Sequence, residues 1–276
     1  MDISDTCYFS LARIENRLGL LHVQRRKHLL CFPTLSESVQ TLSDSYYRLM
    51  ESIVASTINK HVTEQGLGHP NQWAYKQGHS TELLLVKITD DGRRALDKKY
   101  HVVGVIFVDF RKAFDAIPHS ILLRKLQSLG VAGDLWCWIQ DYLSGRTQVT
   151  TINGCQSQAM PVTFGVPQGS VLGPTLFSLF CNDLPDITEG IDGDPQLHMY
   201  ADDTTVYVSA PTFDLVASKL NEVLARLYTW CCENCLTPHP TKTEYMLLSG
   251  CGQLTGPKQA IKMVIMLSRR WFLQDA

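Results

Sequence analysis

No run of this chain is apolar over a membrane-spanning length, so a spanning helix is not expected. Charge of one sign is also missing: 25 Lys and Arg against 27 Asp and Glu leave a net charge of -2. A uniformly basic, phosphate-neutralising surface is therefore excluded, and any contact with nucleic acid has to come from local clusters. The candidates are Arg93, Arg94, Lys98 and Lys99, followed by Lys112, Arg124 and Lys125, although a solvated helix face accounts for most runs of this kind. There is no internal repeat and no low-complexity segment. Nine cysteines at irregular spacings, with no leading secretory pattern, fit a reducing intracellular compartment better than a disulfide scaffold. Cys231, Cys232, Cys235 and His239 can be read as a zinc half-site, but the obvious further thiol is the distant Cys251, and core packing at a helix end is the better reading. What is present is a chain of 276 residues, 45% hydrophobic, enough to bury one large core or two small ones.

The chemistry is carried by acids. Asp202 and Asp203 lie between two short apolar, β-favouring runs, which reads as a hairpin whose turn bears both carboxylates. Residues 102–110 read as a buried strand that brings Asp109 to the same place. An adjacent acid pair is by itself more often a solvated turn. Three converging carboxylates, however, are hard oxygen ligands suited to Mg²⁺ or Mn²⁺, and phosphoryl transfer to a 3′-hydroxyl uses two such ions.

Between the acid sites runs Phe164-Gly165-Val166-Pro167-Gln168-Gly169-Ser170, a glycine-rich loop leading into an apolar stretch. In order, Phe107-Val108-Asp109-Phe110-Arg111-Lys112-Ala113-Phe114-Asp115, then Gly165-Val166-Pro167-Gln168-Gly169-Ser170, then Tyr200-Ala201-Asp202-Asp203, then Lys242-Thr243 resemble the reverse transcriptase domain of non-LTR (LINE-type) retrotransposons. The resemblance covers about residues 46–248. It implies an α/β polymerase palm with a partial fingers region, in a right-hand architecture truncated at both ends.

The resemblance also assigns roles. Asp109, Asp202 and Asp203 are implied as metal ligands and catalytic acids, and Lys242 as the group that protonates departing pyrophosphate. Phe114 corresponds to the bulky side chain under the incoming sugar that excludes a 2′-hydroxyl, with ordinary core packing as its alternative. Phe110, Gln168 and Gly169 correspond to residues at the incoming nucleotide. Lys76, where the family more often has arginine, is implied at template backbone; it keeps the charge but loses the bidentate fork. The partners implied are an RNA template, a DNA primer and a dNTP, with no membrane and no small organic cofactor.

Periodicity places helices over 47–61, over 120–129 ended by Gly130, over 135–143 capped by Asp134 and stopped by Gly145, near 172–180, and over 216–230. Strands are expected over 147–152 and 156–163 around the strong Asn153-Gly154 turn, and over 245–248. Residues 46–100 then form partial fingers and 101–248 the palm, with 1–45 and 249–276 unassigned. The family's Arg-Pro-Ile-Ser-like fingers segment and its thumb have no match here, nor is an endonuclease domain found. Two functions remain open: an RNA-directed DNA polymerase whose substrate grip is reduced, or a catalytically idle or domesticated remnant that at most binds nucleic acid. A different two-metal phosphotransferase or nuclease is disfavoured by the glycine-rich loop and Phe114.

Overall fold

The computed structural model describes residues 37–97, 102–153 and 155–249, with side chains from Ser45 onward. The expectations for the N-terminal segment before residue 37, for Lys98 and Lys99, for Gly154, and for Cys251 and the tail beyond Ser249 lie outside the described residues. The chain divides into two compact units, Met1–Leu67 with Ile117–Phe180, and Gly68–Ala116 with Cys181–Ala276. This division cuts across the expected fingers and palm segments, because the first long helix groups with the stretch after Ile117.

In the first unit, α1 (Glu37–Glu64) is longer at both ends than the periodicity suggested, and it buries Val54 and Ile58 completely. It joins α3 (His119–Ser128), α4 (Gly133–Leu143) and α5 (Gly173–Phe180) around Leu122, Leu126, Leu135, Ile139, Leu176 and Phe177. Gly130 follows α3 at φ +84°, and His61 of α1 meets the carbonyl of Leu129 at 3.0 Å, so the helix end is satisfied from a neighbour. Asp134 is not the cap of α4. Ala132 holds that position without a side-chain bond, and Asp134 lies in the first turn, where its charge favours the helix dipole. The long hairpin expected after α4 is reduced to two-residue strands, β2 (Thr147–Gln148) with β5 (Met160–Pro161) and β3 (Thr151–Ile152) with β4 (Cys155–Gln156), all exposed. With neither face buried, nothing extends the ladder.

The second unit is built on a four-stranded antiparallel sheet in the order β6-β7-β1-β8, from β1 (Val102–Val108), β6 (Gln196–Tyr200), β7 (Asp203–Ala210) and β8 (Glu244–Ser249). β1 occupies a central position, which is why it reads as an almost unbroken apolar run. One face of β1 packs Val103 and Val105, with Tyr207, against Ile88, Ala95 and Leu96 of α2 (Thr81–Leu96). The other face receives α6 (Phe213–Asn234). There Gly104 leaves room for the helix, since a Cβ would collide with Val216 Cγ1 and stand 2.8 Å from Leu220 Cδ1. Thr212 caps α6 by accepting the Leu215 N–H at 3.3 Å. Among the described residues, no helix is long and apolar enough to cross a membrane.

Candidate polymerase active site

The sheet register aligns the acids. Val108 pairs with Thr204, so one further step sets Asp109, just past the end of β1, across from Asp203, the first residue of β7. β6 and β7 are joined through Ala201 and Asp202, with Tyr200 paired to Asp203. Ala201 takes φ +57°, the left-handed region that such a tight turn demands and that glycine fills more cheaply, at a cost of about 1 kcal/mol. Asp203 shows the convergence electrostatically. Its proton is held on above the usual carboxylate range, first by burial and then by the charges of Asp202 and Asp109, with Lys242 opposing them.

Lys242 reaches Asp109 from the other side of β1. β1 and β8 pair regularly up to Phe107 with Glu244, and pairing resumes at Phe110 with Pro238, so the partner chain advances six residues while β1 advances three. The surplus is looped out over residues 239–243. The Lys242 and Thr243 N–H groups donate back to the His239 carbonyl at 3.2 and 3.0 Å, and the His239 N–H donates to the Asp109 carbonyl. The loop delivers Lys242 Nζ to 3.3 Å from Asp109 Oδ2. That oxygen is buried and makes no hydrogen bond, the lysine contact being an ion pair without hydrogen-bond alignment.

The donor set fits divalent ions in type: three carboxylates, one with an orphaned buried oxygen, and mutual repulsion that a cation relieves. As the side chains are placed, no three His, Cys, Asp or Glu among the described residues stand close enough to enclose an ion. The same holds for the zinc alternative. Cys231 is buried in the α6 core with its thiol pushed well up by burial, Cys232 is exposed, and Cys235 caps the helix at φ +56°.

The other residues singled out by sequence fall as follows. Phe110 is 3% exposed, so its ring forms part of the core beneath the acids. Phe114 is half-buried in a 3-10 turn, Ala113–Asp115, entered through Lys112 at φ +45°. Lys76 is exposed. Arg93 and Arg94 are solvated and paired with Asp90 along α2, at 3.2 and 2.7 Å. Lys125 serves the fold instead, donating to the Phe180 carbonyl at 2.8 Å at the end of α5.

Sequence reasoning missed a strap along the β6 edge. Gln72 bridges Met199 in parallel, the Trp73 N–H donates to the Met199 carbonyl at 2.9 Å, and the Met199 N–H donates to the Asn71 carbonyl at 2.9 Å. Asn71 Nδ2 adds a bond to the Leu197 carbonyl at 2.8 Å. Beneath it runs a relay: Trp73 Nε1 donates to His198 Nδ1 (3.3 Å), His198 Nε2 meets Tyr207 Oη (3.2 Å), and Tyr207 donates to Asp91 Oδ2 (2.6 Å), which also accepts from Lys87 (2.8 Å). These donors require a neutral His198 with its proton on Nε2. Burial, aided by Lys87, lowers its pKa to about 4 and keeps it neutral. The strap ends at Tyr75, a non-glycine residue at φ +58° and 53% exposed.

In the first unit, Gln168 and Gly169 occupy the exposed crest of the glycine-rich loop, with Gly169 at φ +76° and open space where a Cβ would be. The loop is stapled at both ends. The Gly165 N–H donates to the Ile117 carbonyl at 2.7 Å, and His119 Nε2 meets the Gly165 carbonyl at 2.7 Å. At the far end, Glu51 accepts the N–H groups of Val171 (2.6 Å) and Leu172 (3.3 Å) and the Tyr142 hydroxyl (3.1 Å). Burial pushes the Tyr142 phenol up to about 12, so it stays a donor. No motif signals Glu51; at 120 residues' separation from Val171, only the folded chain reveals the pairing.

The family described as reverse transcriptase (RNA-dependent DNA polymerase) matches residues 39–266. The probable RNA-directed DNA polymerase from transposon BS of Drosophila melanogaster is 32% identical over 206 residues, covering 74% of this chain and 22% of that protein. The RNA-directed DNA polymerase from mobile element jockey of the same species is 34% identical over 162 residues, 58% of this chain and 18% of that protein. The chain thus spans about a fifth of the length of these relatives. Among solved structures, apo telomerase from Candida tropicalis superposes with a TM-score of 0.59 at 12% identity, over 79% of this chain and 40% of that one, a likeness of fold alone. A family match over most of the chain, with the acids at adjoining strand ends in the expected order, makes this chain a member of the reverse transcriptase family.

Proposed function

We propose that the chain is the RNA-directed DNA polymerase domain of a non-LTR retrotransposon, adding deoxynucleotides from dNTPs to a primer 3′-hydroxyl on an RNA template. The observation that carries this reading is the juxtaposition of Asp109, Asp202 and Asp203 at one end of the sheet, with Lys242 on the far side of Asp109. The three acids would hold Mg²⁺ or Mn²⁺, which when bound supplies activation of the attacking oxygen and charge neutralisation on the leaving group. Lys242 Nζ holds a proton to deliver to the departing pyrophosphate. Phe114 sits five residues past Asp109, where its ring excludes a 2′-hydroxyl, while Gln168 and Gly169 present a loop crest for the nucleotide and Lys76 a charge for template backbone.

Thermal unfolding with Mg²⁺ or Mn²⁺, run beside primer extension, tests the reading. A ligand bound only by the folded chain raises the midpoint, and the double substitution Asp109→Asn with Asp202→Asn removes that rise together with any synthesis. A midpoint that moves equally in the double variant refutes the metal site. Hybrid binding that continues with no shift and no Asp202-dependent synthesis leaves the idle nucleic-acid-binding remnant as the description. Phe114→Ala relaxes discrimination against ribonucleotides; loss of both activities at an unchanged ratio makes Phe114 a core residue.

A further inference from the structure

We propose that Tyr75 is a positioning residue for the 3′-terminal nucleotide of the primer, its ring packing against that nucleotide beside Asp202. The inference deepens the polymerase reading and rests on it.

The first observation is placement. Gln72 bridges Met199 in parallel, so the strap runs along the edge of β6 toward the end of the sheet that carries the acids, and Tyr75 follows Gln72 by three residues as Asp202 follows Met199. The second is conformation. An aromatic residue at φ +58° is unfavourable, yet the strap bonds on Asn71, Gln72 and Trp73, with Trp73 anchored on His198, hold the backbone there. The Ala74 N–H is itself satisfied by Gln72 Oε1 at 3.1 Å. So constrained, the ring remains 53% exposed rather than folding into the core. An exposed aromatic at a strained, over-determined position toward the acid-bearing end of the sheet is suited to stacking on a nucleotide.

The third observation gives the side. In-line nucleotidyl transfer sets the attacking hydroxyl and the leaving pyrophosphate on opposite flanks of the acids. Lys242, against Asp109, marks the leaving flank on the β8 side of β1. The strap that ends at Tyr75 runs along the other flank, on the outer side of β6, so the nucleotide Tyr75 meets is the one bearing the attacking 3′-hydroxyl.

The full chain is mixed with an RNA template–DNA primer hybrid whose recessed 3′-terminal base is the fluorescent analogue 2-aminopurine. Stacking quenches its emission. The unsubstituted chain and Tyr75→Phe are expected to quench it, whereas Tyr75→Ala loses the quenching and binds the hybrid about ten-fold more weakly. Moving the analogue upstream in the duplex abolishes the difference between variants. Tyr75→Gly, which relieves the left-handed backbone, is expected to melt no lower than the parent and still fail to quench, a pairing that a purely structural tyrosine does not give. Equal quenching by Tyr75→Ala overturns this assignment and leaves the polymerase reading intact. If the unsubstituted chain does not bind the recessed hybrid, both fall together.

Discussion

The hairpin of β3 and β4 turns at Asn153, φ +51°, in the dipeptide that sequence rules favour most, yet each strand contributes two exposed residues. The hairpin of β6 and β7 turns at Ala201, φ +57°, a poor residue for that conformation, yet its strands run for five and eight residues. The second ladder is long because Leu197, His198, Met199, Val206 and Val208 are buried, and because β7 is enclosed between β6 and β1. Turn chemistry permits a hairpin, but burial sets its length, and burial can force a turn residue into a conformation it disfavours.

Four measurements bear on that contrast. The most damaging substitution should be Gly104→Val, which drives a branched side chain into Val216 and Leu220 under the neighbouring strand; denaturant unfolding is expected to show a loss of about 3 kcal/mol or more, and a loss below 1 kcal/mol would mean that α6 does not press on the sheet as described. Acid should come next. His198 has its folded pKa lowered to about 4 against 6.5 unfolded, so its contribution is fully present above pH 6.5 and is lost as pH falls toward 4, by about 3 kcal/mol at most. His198→Gln should flatten the denaturant midpoint over that window, and an unchanged slope would separate the relay from the stability of the hairpin.

A smaller effect of opposite sign is expected at the acid turn. Ala201→Gly removes the left-handed penalty and should raise stability by about 0.5–1 kcal/mol, net of the extra freedom glycine has when unfolded; a lower melting temperature would show that the turn is not strained. The least effect belongs to the exposed ribbon, where Ile152→Ser should alter stability by less than about 0.5 kcal/mol, since the side chain is 67% exposed. A larger change there would mean that the ribbon is covered.

The same contrast explains what could be read in the sequence. β1, the acid hairpin, α3 and α6 were legible because each has a buried face whose periodicity survives in the one-dimensional pattern. Motif order singled out Asp109, Asp202, Asp203 and Lys242 together, and the sheet register sets the acids at adjoining strand ends with Lys242 against Asp109. Illegible were interactions between side chains far apart in sequence that carry no pattern of their own: Tyr207 with Asp91, Trp73 with His198, and Glu51 with the amides after the glycine-rich loop. The strap ending at Tyr75 was hidden for a second reason, since its partner is the open edge of β6 and a single bridge leaves no strand-like periodicity. Asp134 was misassigned because the helix begins two residues earlier than the acid suggests, at Gly133 rather than Leu135.

The looped-out stretch between Pro238 and Glu244 separates two kinds of adjustability. Asp203 holds a ladder position opposite Tyr200, and Asp109 follows directly on β1, so shifting either strand by one residue would flip its inward and outward faces. Lys242 rides on surplus chain closed by its own hydrogen bonds to His239, and residues can be gained or lost there while both flanking pairings stay in place. The lysine that faces Asp109 is therefore free to vary in reach and identity by small insertions, a module that evolution or an engineer can retune without touching the acids.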